Sequence, residues 1–211
     1  MNLTFKHLPR ELNEIGFVER EKICDKTVAN KCGRDFLYYC LNYYKPDLHN
    51  TFRGNPLDIE TWGLFGLRIP SWLVWTFLSF CKVPRYFASL ELELFINNHR
   101  IRNFSQFVKT AMSKSFSTDE ALRIIEIAVD TGLASGIDVS IALGGLIDHV
   151  MFVYGYDADN LYVFDTHKVK RLKYEKLTPN GDERYVMRLP KSAIRKRWSR
   201  FNRVWVVRSL S

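Results

Sequence analysis

The stretch DHVMFVYGYDADNLYVFD, residues 148–165, decides the predicted fold. Two apolar runs rich in valine, tyrosine and phenylalanine flank Asp-Ala-Asp-Asn, a combination that favours a tight turn between strands. The stretch therefore predicts a β-hairpin. His149 begins its first strand and Asp165 ends its second strand. Because antiparallel strands run back past one another, we expect these two residues to return to the same neighbourhood.

Outward from the hairpin, the chain divides into a helical part and a part rich in strands. After Gly132, β-branched and aromatic runs separated by turn residues predict further short antiparallel strands, including IDVSIALGG, VKRLKY, ERYVMRLP and RVWVVRSL. Before Gly132, FSTDEALRIIEIAVDTG begins with a capping signal, Ser117 or Thr118 with Glu120, and predicts a helix over 118–131. Helices first and strands second are typical of an α+β fold.

No repeat, low-complexity tract or Ser/Gly linker divides the chain, so a single domain over residues 1–211 is predicted. Its predicted parts are an aromatic helix at 30–44, a helical insertion at 50–116, and a helix plus antiparallel sheet at 117–208. The helix at 30–44 follows from apolar residues that recur on one face.

Composition narrows the class of protein. Hydrophobic residues make up 46% of the 211 residues, which argues against disorder. The most apolar run, IPSWLVWTFLSF at 69–80, is too short to span a bilayer, and the polar start predicts no secretory signal. The four cysteines lack the spacing of metal sites or of a disulfide framework. We therefore expect reduced thiols, no metal and a cytoplasmic location.

The positive charge is concentrated in the last third of the chain. From Lys168 onward there are 14 lysines and arginines against 3 acidic residues. Such a surplus could attract nucleic acid, anionic lipid or an acidic partner. The aromatic residues interleaved with these arginines alternate as they would in a strand, which indicates core positions. A solvated basic surface is therefore favoured, and no nucleic-acid partner is predicted.

The stretch NKCGRDFLYYC, residues 30–40, contains the candidate nucleophile. A helix beginning at Cys32 would direct its backbone N–H groups and its dipole toward the sulfur, which favours the thiolate. Gly33 would allow a substrate to approach the backbone closely. His149 would act as the base, with Asp165 orienting its imidazole. The alternative is that Cys32 is an inert, buried thiol, which is common for cysteine on an aromatic helix.

The order of these segments resembles the papain-like cysteine peptidases of the bacteriocin-processing, double-glycine leader type. The residues that carry the resemblance are the Cys-Gly at 32–33, the helix ending in Gly132, the strand IDVSIAL and the hairpin DHVMFVYGYDADNLYVFDTH. The resemblance covers 30–44 and 117–208. It implies a papain-like fold in which Cys32 is the nucleophile, His149 the general base and acid, and Asp165 the orienting carboxylate.

The chain departs from that family's pattern at three places. A glutamine that helps to form the oxyanion hole usually stands six residues before the cysteine, where this chain has Lys26. Lys26, Asn30 and Gly33 are therefore the candidate oxyanion residues. Thr166 follows Asp165 where proline is usual, and Asp148 precedes His149 where glycine is common. A negative charge at Asp148 would favour the imidazolium form of His149 if its side chain points inward.

These observations leave three functions open. The first is a hydrolase that cleaves a peptide or amide bond in a peptide or protein substrate through a thioester. The second is an acyltransferase or deamidase that uses the same three residues. The third is a pseudo-peptidase that binds a peptide or protein without catalysis. None of the three functions requires a metal or an organic cofactor. The sequence does not indicate whether the protein is a monomer or an oligomer.

Overall fold

The computed structural model describes residues 4–5, 32–45, 63–64, 67–68, 83–113, 116–142, 147–164, 175–176, 186–197 and 203–210. The helices are α1 (Cys32–Tyr44), α2 (83–89), α3 (Phe104–Met112), α4 (Thr118–Asp130) and α5 (Lys191–Arg197). Helices α1 and α4 confirm the predicted helices at 30–44 and 118–131.

The strands are β1 (Thr4–Phe5), β2 (Gly63–Leu64), β3 (Leu67–Arg68), β4 (Leu92–Ile96), β5 (His99–Arg100), β6 (Ala134–Ala142), β7 (Ile147–Tyr156), β8 (Asn160–Phe164), β9 (Glu175–Lys176), β10 (Val186–Pro190) and β11 (Val204–Ser209). The main sheet has the order β5-β4-β11-β6-β7-β8-β10-β9, with β1 paired to β7, and β2 pairs with β3 separately. Every pairing is antiparallel. The chain is therefore an α+β protein built on an antiparallel sheet.

The main sheet buries a different set of side chains on each face. On one face α1 packs with α2 and α3 in an aromatic cluster that includes Phe36, Phe87, Phe107, Phe152 and Trp205. On the other face α4 and α5 pack in an aliphatic cluster that includes Leu122, Ile125, Ile137, Met151, Val153 and Ile194. Successive residues of a strand point to opposite faces, so alternate residues of β6 and β7 enter alternate clusters.

Two local predictions are confirmed in detail. Helix α4 begins with a capping box, in which the Ser117 hydroxyl accepts from the backbone N–H of Glu120 and the Glu120 carboxylate accepts from the backbone N–H of Ser117. The turn between β7 and β8 is fixed by Asp157, whose carboxylate accepts hydrogen bonds from the backbone N–H groups of Asp159 and Asn160. Both devices satisfy backbone donors that a helix start or a turn leaves unpaired.

The prediction of a helical insertion at 50–116 is wrong for residues 92–100, although α2 and α3 lie within that segment. Strand β4 pairs with β11 over Leu92–Ile96, so this part of the chain belongs to the main sheet. Asn97 and Asn98 form the turn to β5 with positive φ angles of 51° and 63°. Consecutive positive φ angles are the geometry of a tight hairpin turn, and asparagine tolerates them better than most residues.

Among the described residues, no helix is both long enough and apolar enough to cross a membrane. The apolar run IPSWLVWTFLSF at 69–80 lies outside the described residues.

Candidate functional site

Helix α1 is held against the sheet at its C-terminal end by two tyrosines. The Tyr43 hydroxyl donates to the carbonyl of Gly132 at 2.9 Å. The Tyr44 hydroxyl donates to the carbonyl of Val207 at 2.6 Å and accepts from the N–H of Ala134 at 3.0 Å. The C-terminal end of α1 therefore lies at the start of β6 and the end of β11.

One position of β6 lets the middle of α1 approach the sheet closely. A Cβ atom built on Gly136 would lie 2.5 Å from Cε2 of Phe36 and 2.8 Å from the carbonyl oxygen of Met151. Only a residue without a side chain fits under the Phe36 ring. The ring also packs edge-on against Trp205, with centroids 5.7 Å apart. Tyr44 thus lies at Ala134 and Phe36 lies at Gly136. Helix α1 therefore runs opposite to β6.

Helix α1 begins at Cys32, one turn before Phe36, as predicted. One turn of helix moves about 5.4 Å along its axis. The N-terminal end of α1 is therefore directed toward the end of the sheet where β6 finishes and β7 begins. Gly33 is the second residue of the helix.

His149 is the third residue of β7 and its side chain is buried, with 4% of the residue exposed. It lies directly opposite Val139 of β6 in the strand ladder. Val139 packs in the cluster under α4, and so does Met151, two residues further along β7. Residues two apart and residues directly opposite share a face of the sheet. The imidazole therefore lies on the α4 face, whereas α1 packs on the other face.

Strand β8 runs back along β7 and ends opposite the middle of that strand. Phe164, the last residue of β8, is opposite Phe152, three positions from His149. Asp165 follows Phe164 directly and lies outside the described residues, as do Lys26 and Asn30. The predicted hairpin is thus confirmed in its strands, β7 and β8.

The sequence analysis did not single out Asp138, a buried carboxylate at this end of the sheet. Its Oδ2 accepts from the indole N–H of Trp205 at 3.0 Å and lies 2.7 Å from Nε of Arg203. Trp205 belongs to the aromatic cluster around α1, so Asp138 faces the side on which Cys32 begins the helix. The available signal was an aspartate within SGIDVSIA, a strand without any other charged residue, since a buried charge requires a partner.

Cys40, also on helix α1, is a buried thiol of the kind that is common on an aromatic helix. Its side chain is fully buried in the aromatic cluster. Burial raises the pKa of this thiol well above its ordinary value, because an apolar environment disfavours the thiolate. Cys40 is therefore a residue of the buried core, whereas Cys32 stands at the start of the helix.

Within the described ranges, no group of three or more histidine, cysteine, aspartate or glutamate side chains is placed to hold a metal ion. Comparisons with protein-family models, with curated protein sequences and with solved structures each gave no match to this chain.

Proposed function

We propose that this protein is a cysteine hydrolase of a papain-like type, which cleaves a peptide or amide bond in a peptide or protein substrate. Cys32 is the nucleophile, His149 the general base and acid, and Asp165 the carboxylate that orients the imidazole. One observation supports the proposal. Helix α1, which begins at Cys32, approaches β6 and β7 at Phe36, and β8 ends at Phe164, opposite Phe152 and three positions from His149.

The chemistry follows from the start of α1. Its first backbone N–H groups have no partner within the helix and carry partial positive charge. They favour a thiolate at Cys32 and can also donate to the oxyanion that forms when the thiolate attacks a carbonyl carbon. The C–N bond then breaks as His149 transfers its proton to the leaving amine. A water molecule, deprotonated by His149, hydrolyses the thioester and releases the acid.

Catalysis requires His149 and Cys32 to lie on the same face of the sheet. The imidazole of His149 must reach the face on which α1 packs, although its pairing with Val139 places it on the other face. The register of the β6–β7 ladder already shifts beside this position, between Ser140 and Ala142. A slip of one residue in strand pairing transfers every side chain concerned to the opposite face. Catalysis thus requires such a slip at the first residues of β7.

The position of His149 also supports a second candidate, a non-catalytic domain that binds a peptide or a partner protein. If the β6–β7 register is kept, the imidazole stays buried under α4 and cannot accept a proton from Cys32. Lys26, which stands where the resembling peptidases carry an amide, agrees with this candidate. An acyltransferase or a deamidase would use the same residues as the hydrolase. In the acyltransferase, an amine or an alcohol would accept the acyl group in place of water.

Thiol labelling across pH separates catalysis from binding. Iodoacetamide should modify Cys32 at pH 6 at least about tenfold faster than Cys24 or Cys81, because only a thiolate reacts. His149→Asn should move the midpoint of Cys32 labelling to higher pH. The exposed His99 provides the matched control, and His99→Asn should leave the midpoint unchanged. Equal slow labelling of all the cysteines would reject the hydrolase and leave the binding domain.

A fast-labelling Cys32 whose midpoint does not respond to His149→Asn would also contradict the proposed hydrolase. In that case the helix dipole alone would account for the thiolate. If both tests succeed, an activated ester would acylate Cys32. The release rates of the acyl group with water and with added amine then distinguish the hydrolase from the transferase.

A further inference from the structure

A buried carboxylate between two arginines lies far from the start of α1. Arg208 donates from Nε at 2.9 Å and from Nη2 at 2.7 Å to Oε2 of Glu93. Nη2 of Arg100 lies 2.6 Å from Oε1 of the same carboxylate. The Glu93 side chain is 3% exposed. We call Arg100 and Arg208 the arginine pair.

The arginine pair lies on the face of β4 that carries Glu93. Arg208 lies opposite Glu93 in the β4–β11 ladder, and Arg100 lies opposite Phe95 in the β4–β5 ladder. The intervening residues of β4, Leu94 and Ile96, pack in the aromatic cluster on the other face. The side chains of Arg208 and Arg100 remain 48% and 38% exposed. Both guanidinium groups are therefore fixed in position and yet accessible from solvent.

Charge and unused donors distinguish this cluster from the other ion pairs of the described residues. Lys191 pairs with Glu126, Arg195 with Asp119 and Arg203 with Asp138. Two guanidinium groups share Glu93, which leaves one positive charge in excess. A guanidinium carries five N–H donors, of which Arg208 uses two and Arg100 at least one on Glu93.

The arginine pair is also held more rigidly than an ordinary surface arginine. The guanidinium carbon of Arg208 lies 4.5 Å from the centroid of the Phe95 ring, in a cation–π contact. A planar group that is oriented by a carboxylate on one edge and by a ring on its face presents its remaining N–H fork in a fixed direction. Such a fork matches the two oxygens of a carboxylate or a phosphate, and binding then costs little side-chain entropy.

We propose that Arg100 and Arg208 form a binding site for a ligand that carries an oxyanion group, a phosphate or a carboxylate. Glu93 acts as the positioning residue for both guanidinium groups. The site lies outside the proposed hydrolase centre and does not depend on it. Arg208 is also one of the basic residues concentrated in the last third of the chain, and its side chain is accessible to solvent.

The test is a titration of the ¹⁵N-labelled protein with inorganic phosphate or acetate, with sodium chloride at matched ionic strength as reference. We expect saturable shifts of the Nε–H resonances of the arginine pair with phosphate, acetate or both, whichever oxyanion the ligand carries. Arg100→Gln should weaken the binding about tenfold, since one charge-assisted hydrogen-bond donor set is lost. This variant keeps the Arg208–Glu93 contact that holds β4 to β11. Arg123→Gln, at an exposed position of α4, is the matched control and should bind as the unmodified protein does.

Two results would overturn the proposal. The first is a response to both oxyanions that does not exceed the response to chloride. The second is a saturable response that Arg100→Gln and Arg208→Gln leave unchanged. In either case the arginine pair would only hold β4, β5 and β11 together. If Arg208→Gln fails to fold, the comparison of Arg100→Gln with Arg123→Gln still decides the question.

Discussion

The hydroxyl of Tyr44 joins three parts of the fold, and its removal is a direct test of how α1 is held. The hydroxyl stands where the β6–β11 ladder ends, at the pair Ala134 and Val207. It accepts from the N–H of Ala134 and donates to the carbonyl of Val207. Burial raises the pKa of this hydroxyl, so it stays neutral and can act as donor and acceptor together. Tyr44→Phe removes one oxygen atom and leaves the ring in place.

The expected loss follows from the two hydrogen bonds. Each contributes about 1 kcal/mol net to the free energy of unfolding, and a buried donor left without a partner costs about 1–3 kcal/mol. Ala134 is 1% exposed, so water cannot replace the hydroxyl without opening the structure. We expect Tyr44→Phe to lower the free energy of unfolding by about 2–3 kcal/mol. Tyr43→Phe removes a single bond to the partly exposed Gly132 and should cost about 0.5–1 kcal/mol.

Urea denaturation of the two variants and the unmodified protein, followed by far-UV circular dichroism, measures both losses. Hydrogen exchange at the Ala134 amide supplies a local readout, because its protection should fall in Tyr44→Phe but not in Tyr43→Phe. If Tyr44→Phe costs no more than Tyr43→Phe, and the Ala134 amide stays protected, the bridge from α1 to the two strands does not contribute as argued.

Three further predictions concern other parts of the described structure. Gly136→Ala should destabilise the protein by about 1–3 kcal/mol, because its methyl group would overlap the Phe36 ring; calorimetry measures this, and Phe36→Leu in the same chain should recover part of the loss. Burial alone would raise the pKa of Asp157, but hydrogen bonds from Tyr162, Asn160 and the backbone lower it to about 2. Its stabilising effect is complete above about pH 4 and is lost as the pH falls toward 2, so Asp157→Asn should reduce stability at pH 7 more than at pH 2; equal losses would contradict this. Cys40 should resist iodoacetamide until the protein unfolds, because burial raises its thiol pKa; labelling with mass spectrometry before and after denaturant checks this.

The parts of the fold that sequence predicts well are those determined by local signals. The capping residues of α4, the apolar face of α1 and the Asp-Ala-Asp-Asn turn each act within a few residues, and each is found where expected. Strand β4 was missed although LELELFI alternates, because leucine and glutamate are strong helix formers and the segment follows a long apolar run. Pairing with β11, more than a hundred residues later, makes it a strand.

The sequence predicted where Cys32 and His149 lie along their helix and strand. It did not predict on which face of the sheet the His149 side chain lies. The start of α1 at Cys32 and the position of His149 at the start of β7 followed from local pattern. The face on which His149 lies depends on its pairing with Val139, which the hairpin β7–β8 alone does not determine. Asp138 depends on Arg203 and Trp205, which are distant in sequence. An aspartate in strand β6 signals that a partner is needed, but the identity of that partner cannot be read from a single sequence.

The central place of β11 in the sheet has a consequence for how the protein is made. This strand lies between β4 and β6, and it is the last strand of the sheet in chain order. Without β11, β4 and β6 lack the strand that pairs with both of them, and each would present unpaired N–H and carbonyl groups along one edge. Such edges pair readily with other chains. We therefore expect the nascent chain to depend on a chaperone until β11 closes the sheet, and the full protein to fold slowly for its size because so many of its contacts are distant in sequence.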